Sequence, residues 1–144
     1  MPDDLPWLAS MHTVLLVLGC SVFVLLGVGH AALMLFTNKF EPRDPGLLAQ
    51  LKVSQAGLSK TGNLWNGIKG FHLSHSLGLV LFGWFYITLA VESPGVLHSS
   101  VSLNLGLLLI PATYVFLAHR YWFSVPRNCF AIAVGLLTLS AVLR

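Results

Sequence analysis

The sequence predicts an all-α polytopic membrane protein, four transmembrane helices in a compact bundle with a short amphipathic helix between the first and second. Three observations carry this. Apolar residues fill 56% of the 144 positions and charged residues only 9%, where a soluble domain carries about 25% charged residues. The formally charged residues sit at or beyond the ends of four long apolar runs. Those runs show no strict alternation of the kind a membrane barrel strand needs, and lipid offers an open backbone no hydrogen-bond partners, so helices are required.

The first span is expected from about Met11 to Phe36. Asp3 and Asp4 precede it without any Lys or Arg, and its apolar run is long. Both features oppose a cleaved signal peptide, which combines a basic start with a shorter apolar core. The link that follows has structure of its own. Asp44-Pro45-Gly46 reads as a helix start, with Asp44 as N-cap and Pro45 in the first turn. Leu47, Leu51 and Leu58 then share one face while Lys52, Gln55 and Ser59 look elsewhere, the pattern of a helix lying on a membrane surface. Thr61-Gly62-Asn63 and Asn66-Gly67 form a hinge into the second span, about Gly67 to Val91. The third span is expected over about 99–118 and the fourth over about 124–143. Each approaches or exceeds the roughly 20 residues that cross a bilayer core as a helix. The whole chain, 1–144, is read as one transmembrane domain.

Charge orients the spans. The 1–2 and 3–4 links carry Lys39, Arg43, Lys52, Lys60, Lys69, Arg120 and Arg127, and the other side holds only Arg144. This asymmetry puts the basic links in the cytoplasm and both termini outside. Trp7 on the outer side, and Trp65, Tyr121 and Trp122 on the inner, are placed as interface anchors. With no targeting signal of an organelle in view and short links, a bacterial inner membrane is the expected location. The formal charge of +3 suits an anionic leaflet. It does not indicate nucleic acid, because no basic patch interleaved with aromatics exists.

Helices in lipid associate through close backbone approach. Gly70, Ser74 and Gly78 in the second span, Gly19, Cys20, Gly27 and Ala31 in the first, and Ala131 and Gly135 in the fourth are the expected contact residues. Pro111 is expected to kink the third. Cys20 and Cys129 read as small buried residues, since no CxxC occurs.

Several function classes are excluded by what the spans lack. No carboxylate lies deep in a span, which removes the usual relay of an ion-coupled pump. Gly62 and Gly67 are followed by Ile68-Lys69 where a phosphate-binding loop needs Lys-Ser/Thr, and no GxSxG or HExxH occurs. His72 and His75 are a single pair, far short of the histidine boxes of membrane desaturases.

Histidine remains. His30, His72, His75 and His119 gather at one depth near the inner side, whereas His12 stands alone near the outer side and His98 falls in the outer link. Ionisable residues inside a membrane are costly and mark functional sites by default. His72 and His75, spaced i and i+3, can aim at one point, and His30 can face them from the first span. Arg120 and Arg127 lie where anionic groups of a bound molecule would sit.

Three readings follow. The imidazoles bond to backbone carbonyls, Ser74, Ser76, Asn66 or Asn128 and serve packing. They hold haem b or a transition metal, with His30, His72 and His75 as ligands and His119, Arg120 and Arg127 or Lys69 at the periphery. Or they line a site for a lipid head group or a quinone. The expected role is a small non-catalytic membrane protein, an accessory subunit of a complex or a binder of a hydrophobic ligand. Its partners would be membrane lipids and either a membrane protein or a second copy of itself. A small membrane-embedded enzyme is a further alternative.

Overall fold

The computed structural model of the chain describes residues 6–57 and 61–143. Asp3, Asp4, Leu58, Ser59, Lys60 and Arg144, and the side chain of Trp7, lie outside the described residues. The elements in order are α1 (Pro6–Phe36), α2 (Pro45–Val53), α3 (Leu64–Glu92), α4 (Pro94–Ser99), α5 (Val101–Tyr121) and α6 (Ser124–Val142). Four of them are long and apolar enough to cross a membrane: Met11–Phe36 of α1, α3, α5 and α6. Their outer faces carry large apolar side chains such as Leu25, Trp84, Leu109, Phe116 and Ile132. In water such a surface would drive association; against lipid it is the solvated face.

The described residues divide into two compact units, Met1–Leu26 with Val80–Arg144, and Gly27–Leu79. In the first, the N-terminal part of α1 and the C-terminal part of α3 pack with α4, α5 and α6 around Leu16, Cys20, Tyr86, Ala90, Leu97, Leu107 and Leu137. Beside them lies an aromatic layer. Phe23 meets Phe82, Phe130 and Tyr114 with ring centroids 4.7, 5.1 and 5.8 Å apart, and Tyr114 stacks on Phe130. Tyr86 donates its hydroxyl to the Leu103 carbonyl at 2.8 Å, joining α3 to α5.

Backbones approach most closely at glycines, though not all the expected ones. A Cβ at Gly83 would stand 2.6 Å from the Cys20 carbonyl oxygen and from Val24 Cγ2. At Gly19 it would stand 2.9 Å from Leu137 and 3.3 Å from the Ala133 carbonyl oxygen. The expected ridge of Gly70, Ser74 and Gly78 faces outward instead: Ser74 is exposed, and nothing lies within 4 Å of a Cβ at either glycine. Ala131 and Gly135 are likewise exposed, and buried Ala133 is the small residue α6 presents to α1. Small residues at i, i+4 satisfy a close approach on any face of a helix, so spacing alone does not select the face. Pro111 is buried within α5, which continues through it. Cys20 is buried and Cys129 half-buried, both as free thiols.

One element was not foreseen. Ser93-Pro94 opens the short helix α4, with Pro94 in its first turn. The Ser100 hydroxyl then accepts from Leu103 N to cap α5. Asn104 Nδ2 donates to the carbonyls of Leu97 at 3.0 Å and Ser100 at 2.8 Å, fastening α4 to α5.

In the second unit, α2 begins as the sequence indicates, with Asp44 Oδ1 accepting from Gly46 N at 2.8 Å. It stops at Val53, sooner than its leucine pattern implies, and buries no residue. Gln55 bridges to Asn63 and Leu64 N donates to the Ser54 carbonyl, which closes the loop into α3. Trp65 is buried and lies under Lys69 Nζ at 5.6 Å, so it turns into the protein and does not project as an anchor.

Candidate functional site

The second unit brings His30, His72 and His75 together. His30 lies near the end of α1, and His72 and His75 lie less than one turn apart on α3. His30 Nε2 and His72 Nδ1 are 2.8 Å apart. One of these nitrogens donates its N–H and the other accepts, so the pair shares one hydrogen. The His75 ring meets His30 edge-on, with centroids 5.7 Å apart and planes at 79°.

Two phenylalanines frame the rings. Phe40, in the link after α1, packs on His30 at 4.6 Å and on His72 at 5.0 Å. Phe71 lies parallel to His75, 7° between planes and 6.4 Å between centroids. All three imidazoles are half-buried, while Phe71 is exposed. The cluster is therefore a polar patch with aromatic borders, open on one side.

The hydroxyls beside the histidines are engaged elsewhere. Ser74 donates to the Phe71 carbonyl at 2.9 Å, and Ser76 to the His72 carbonyl at 3.0 Å. Such back-bonding to the preceding turn is the local alternative open to serine in a helix. Asn128 accepts from Arg127 Nε at 3.3 Å. The principal partner of His30 is thus another histidine.

The other candidate residues belong to the first unit. His119 and Arg120 are exposed in the last turn of α5, with the Arg120 guanidinium 5.2 Å from the Tyr121 ring. Arg127 is half-buried in the first turn of α6.

A second histidine pair lies in the first unit and corrects the reading of His12 as solitary. His12 and His98 face each other with Nε2 atoms 3.2 Å apart and centroids at 5.0 Å. α4 makes this contact, because it folds the link between α3 and α5 back over the start of α1. The Pro94 signal for a helix start was available in the sequence, but the direction in which that helix turns was not.

Metal geometry tests part of the first cluster. An iron held between two opposed imidazoles sets their nitrogens about 4 Å apart, twice a metal–imidazole bond of about 2.0–2.1 Å. The 2.8 Å between His30 and His72 is instead the length of a direct hydrogen bond. Among the described residues, no three His, Cys, Asp or Glu side chains are grouped so as to hold a metal ion. The chain matches no protein family, no curated protein and no solved structure.

Proposed function

We propose that this is a small, non-catalytic integral membrane protein that binds an amphiphilic ligand, a lipid or a quinone, at His30, His72 and His75. The carrying observation is the convergence of three half-buried imidazoles from two helices between Phe40 and Phe71. Imidazole offers both an N–H donor and an acceptor nitrogen. A quinone carbonyl or a lipid hydroxyl or phosphate accepts from such a donor, and the phenylalanines supply the apolar contact that a planar head or an acyl chain needs. Lys39, Arg43, Lys52 and Lys69, with Arg120 and Arg127, support placing this end of the spans at the cytoplasmic leaflet. On that reading both termini are periplasmic in a bacterial inner membrane.

The test is photolabelling of the full chain in lipid nanodiscs with a photoreactive quinone and, separately, a photoreactive phospholipid. Labels should concentrate at Phe40 and residues 71–75 for one of the two probes. They should fall sharply in His30→Ala and His75→Ala. Labels spread evenly over the outer faces of α5 and α6 in every variant reject the reading.

A second role, as an accessory subunit or homo-oligomer, draws on the outward-facing Gly70, Ser74 and Gly78, which would admit close approach of another helix. Gly70→Leu should then lower the mass of the particle measured by light scattering in detergent. An unchanged mass removes that support.

A further inference from the structure

We propose that His12 and His98 form a two-histidine site for a divalent transition metal such as Zn²⁺. The inference stands apart from the ligand reading of the His30 cluster and uses none of its residues. The two Nε2 atoms, 3.2 Å apart, share a hydrogen bond. With an ion in place of its hydrogen, bonded at about 2.0–2.1 Å to each nitrogen, they would subtend an angle of about 100° at that ion, close to tetrahedral. The two rings are carried by different elements, α1 and α4, so tertiary structure sets their separation.

The surroundings of His12 favour metal binding through Nε2. Ser140 donates its hydroxyl hydrogen to the His12 carbonyl at 2.8 Å. Its oxygen, 3.5 Å from His12 Nδ1, therefore faces that nitrogen as an acceptor. In the tautomer that carries its hydrogen on Nδ1, that hydrogen is directed to Ser140 and the Nε2 lone pair faces His98. Metal-bound histidines are fixed in this way, with the second ring nitrogen donating to a neighbouring oxygen. Thr13 Oγ1, 3.4 Å from the same Nε2, is a hydroxyl that can rotate away when an ion enters.

Access is also in place. His12 is buried, 5% exposed, whereas His98 is exposed on the short helix α4. An ion arriving from solvent meets His98 first, and the positions not filled by imidazole remain for water. His98 can carry its hydrogen on Nδ1, so binding through its Nε2 needs no net loss of a proton. Two protein ligands with water give a reversible site, unlike the closed four-ligand sites that hold structural zinc.

The experiment is calorimetric titration of Zn²⁺ into the full chain, purified in detergent without a polyhistidine tag. Wild-type protein and a His30→Ala/His72→Ala/His75→Ala variant should each bind one equivalent through this site. His98→Ala should weaken binding at least tenfold. It also removes the ring and hydrogen-bond partner that buried His12 meets, so His98→Gln, which keeps a side-chain hydrogen-bonding group there, is the folding control. His98→Gln should keep the melting temperature closer to wild type and still bind zinc at least tenfold more weakly. His98→Cys, which replaces one zinc ligand by another, should restore binding. Ser140→Ala should weaken it about tenfold, the scale of losing an outer-shell partner. The proposal is overturned if wild-type protein takes up no zinc, if His98→Ala binds as tightly as wild type, or if the His30 cluster variant alone abolishes uptake.

Discussion

Gly83→Ala offers the sharpest test of how these helices pack. The added methyl would lie 2.6 Å from the Cys20 carbonyl oxygen and from Val24 Cγ2, where ordinary contact begins at 3.4 Å. Neither neighbour yields easily. The carbonyl belongs to the backbone of α1, and Val is stiff about χ1 in a helix. Relief therefore requires α1 and α3 to separate locally by about 0.8 Å, and forced overpacking of this kind costs about 1–3 kcal/mol. Alanine also favours the helix over glycine by about 1 kcal/mol. A control with the same gain and no clash isolates the steric term, and Gly29→Ala in α1 supplies it, since nothing lies within 4 Å of its Cβ. Reversible unfolding in mixed micelles, followed by circular dichroism, should rank Gly83→Ala below Gly29→Ala by about 1–3 kcal/mol. Equal stabilities for the two variants would refute the close approach of α1 and α3.

Three further outcomes are expected. Tyr86→Phe removes the hydroxyl donated to the Leu103 carbonyl, and the same unfolding assay should register a loss of about 0.5–1.5 kcal/mol; a wild-type value would show that this bond contributes nothing. His72→Phe keeps a ring against Phe40 but removes the nitrogen bonded to His30 Nε2; the ¹⁵N resonances of His30 should move while those of His12 stay in place, and an unmoved His30 would dissolve the pair. Cysteines introduced singly at Glu41 and at Pro2 should react with a membrane-impermeant thiol reagent from opposite sides of the bilayer, Pro2 from outside; Pro2 labelled from inside and Glu41 from outside would reverse the charge-based orientation, and labelling of both from one side would remove the span between them.

Class of fold, number of spans and approximate bounds were legible in the sequence because they depend on quantities that add along a chain. A run of about 20 apolar residues is long and apolar enough to cross a membrane whatever its neighbours are. The start of α2 was legible for a related reason: Asp44 and Pro45 act within one turn, on amides they can reach directly. His72 and His75 were fixed on one helix by spacing alone, and His30 facing them needed only that α1 and α3 be neighbours.

Rotation of each helix about its own axis was decided by tertiary structure. The spans are apolar on nearly every face, so hydropathy does not distinguish lipid from protein, and steric fit makes the choice. That is why Gly83 and Gly19 take the close contacts while Gly70 and Gly78 face outward. It is also why Trp65 turns inward. The partners of the histidines were hidden for a similar reason. Phe40 reaches His30 and His72 through a turn, and His98 reaches His12 across 86 residues through the direction taken by α4. Sequence alone determined which segments leave water, because transfer into lipid is a sum over residues. Only the folded chain decided which side chains meet, because contact depends on helix rotation and link direction, which an evenly apolar surface does not encode.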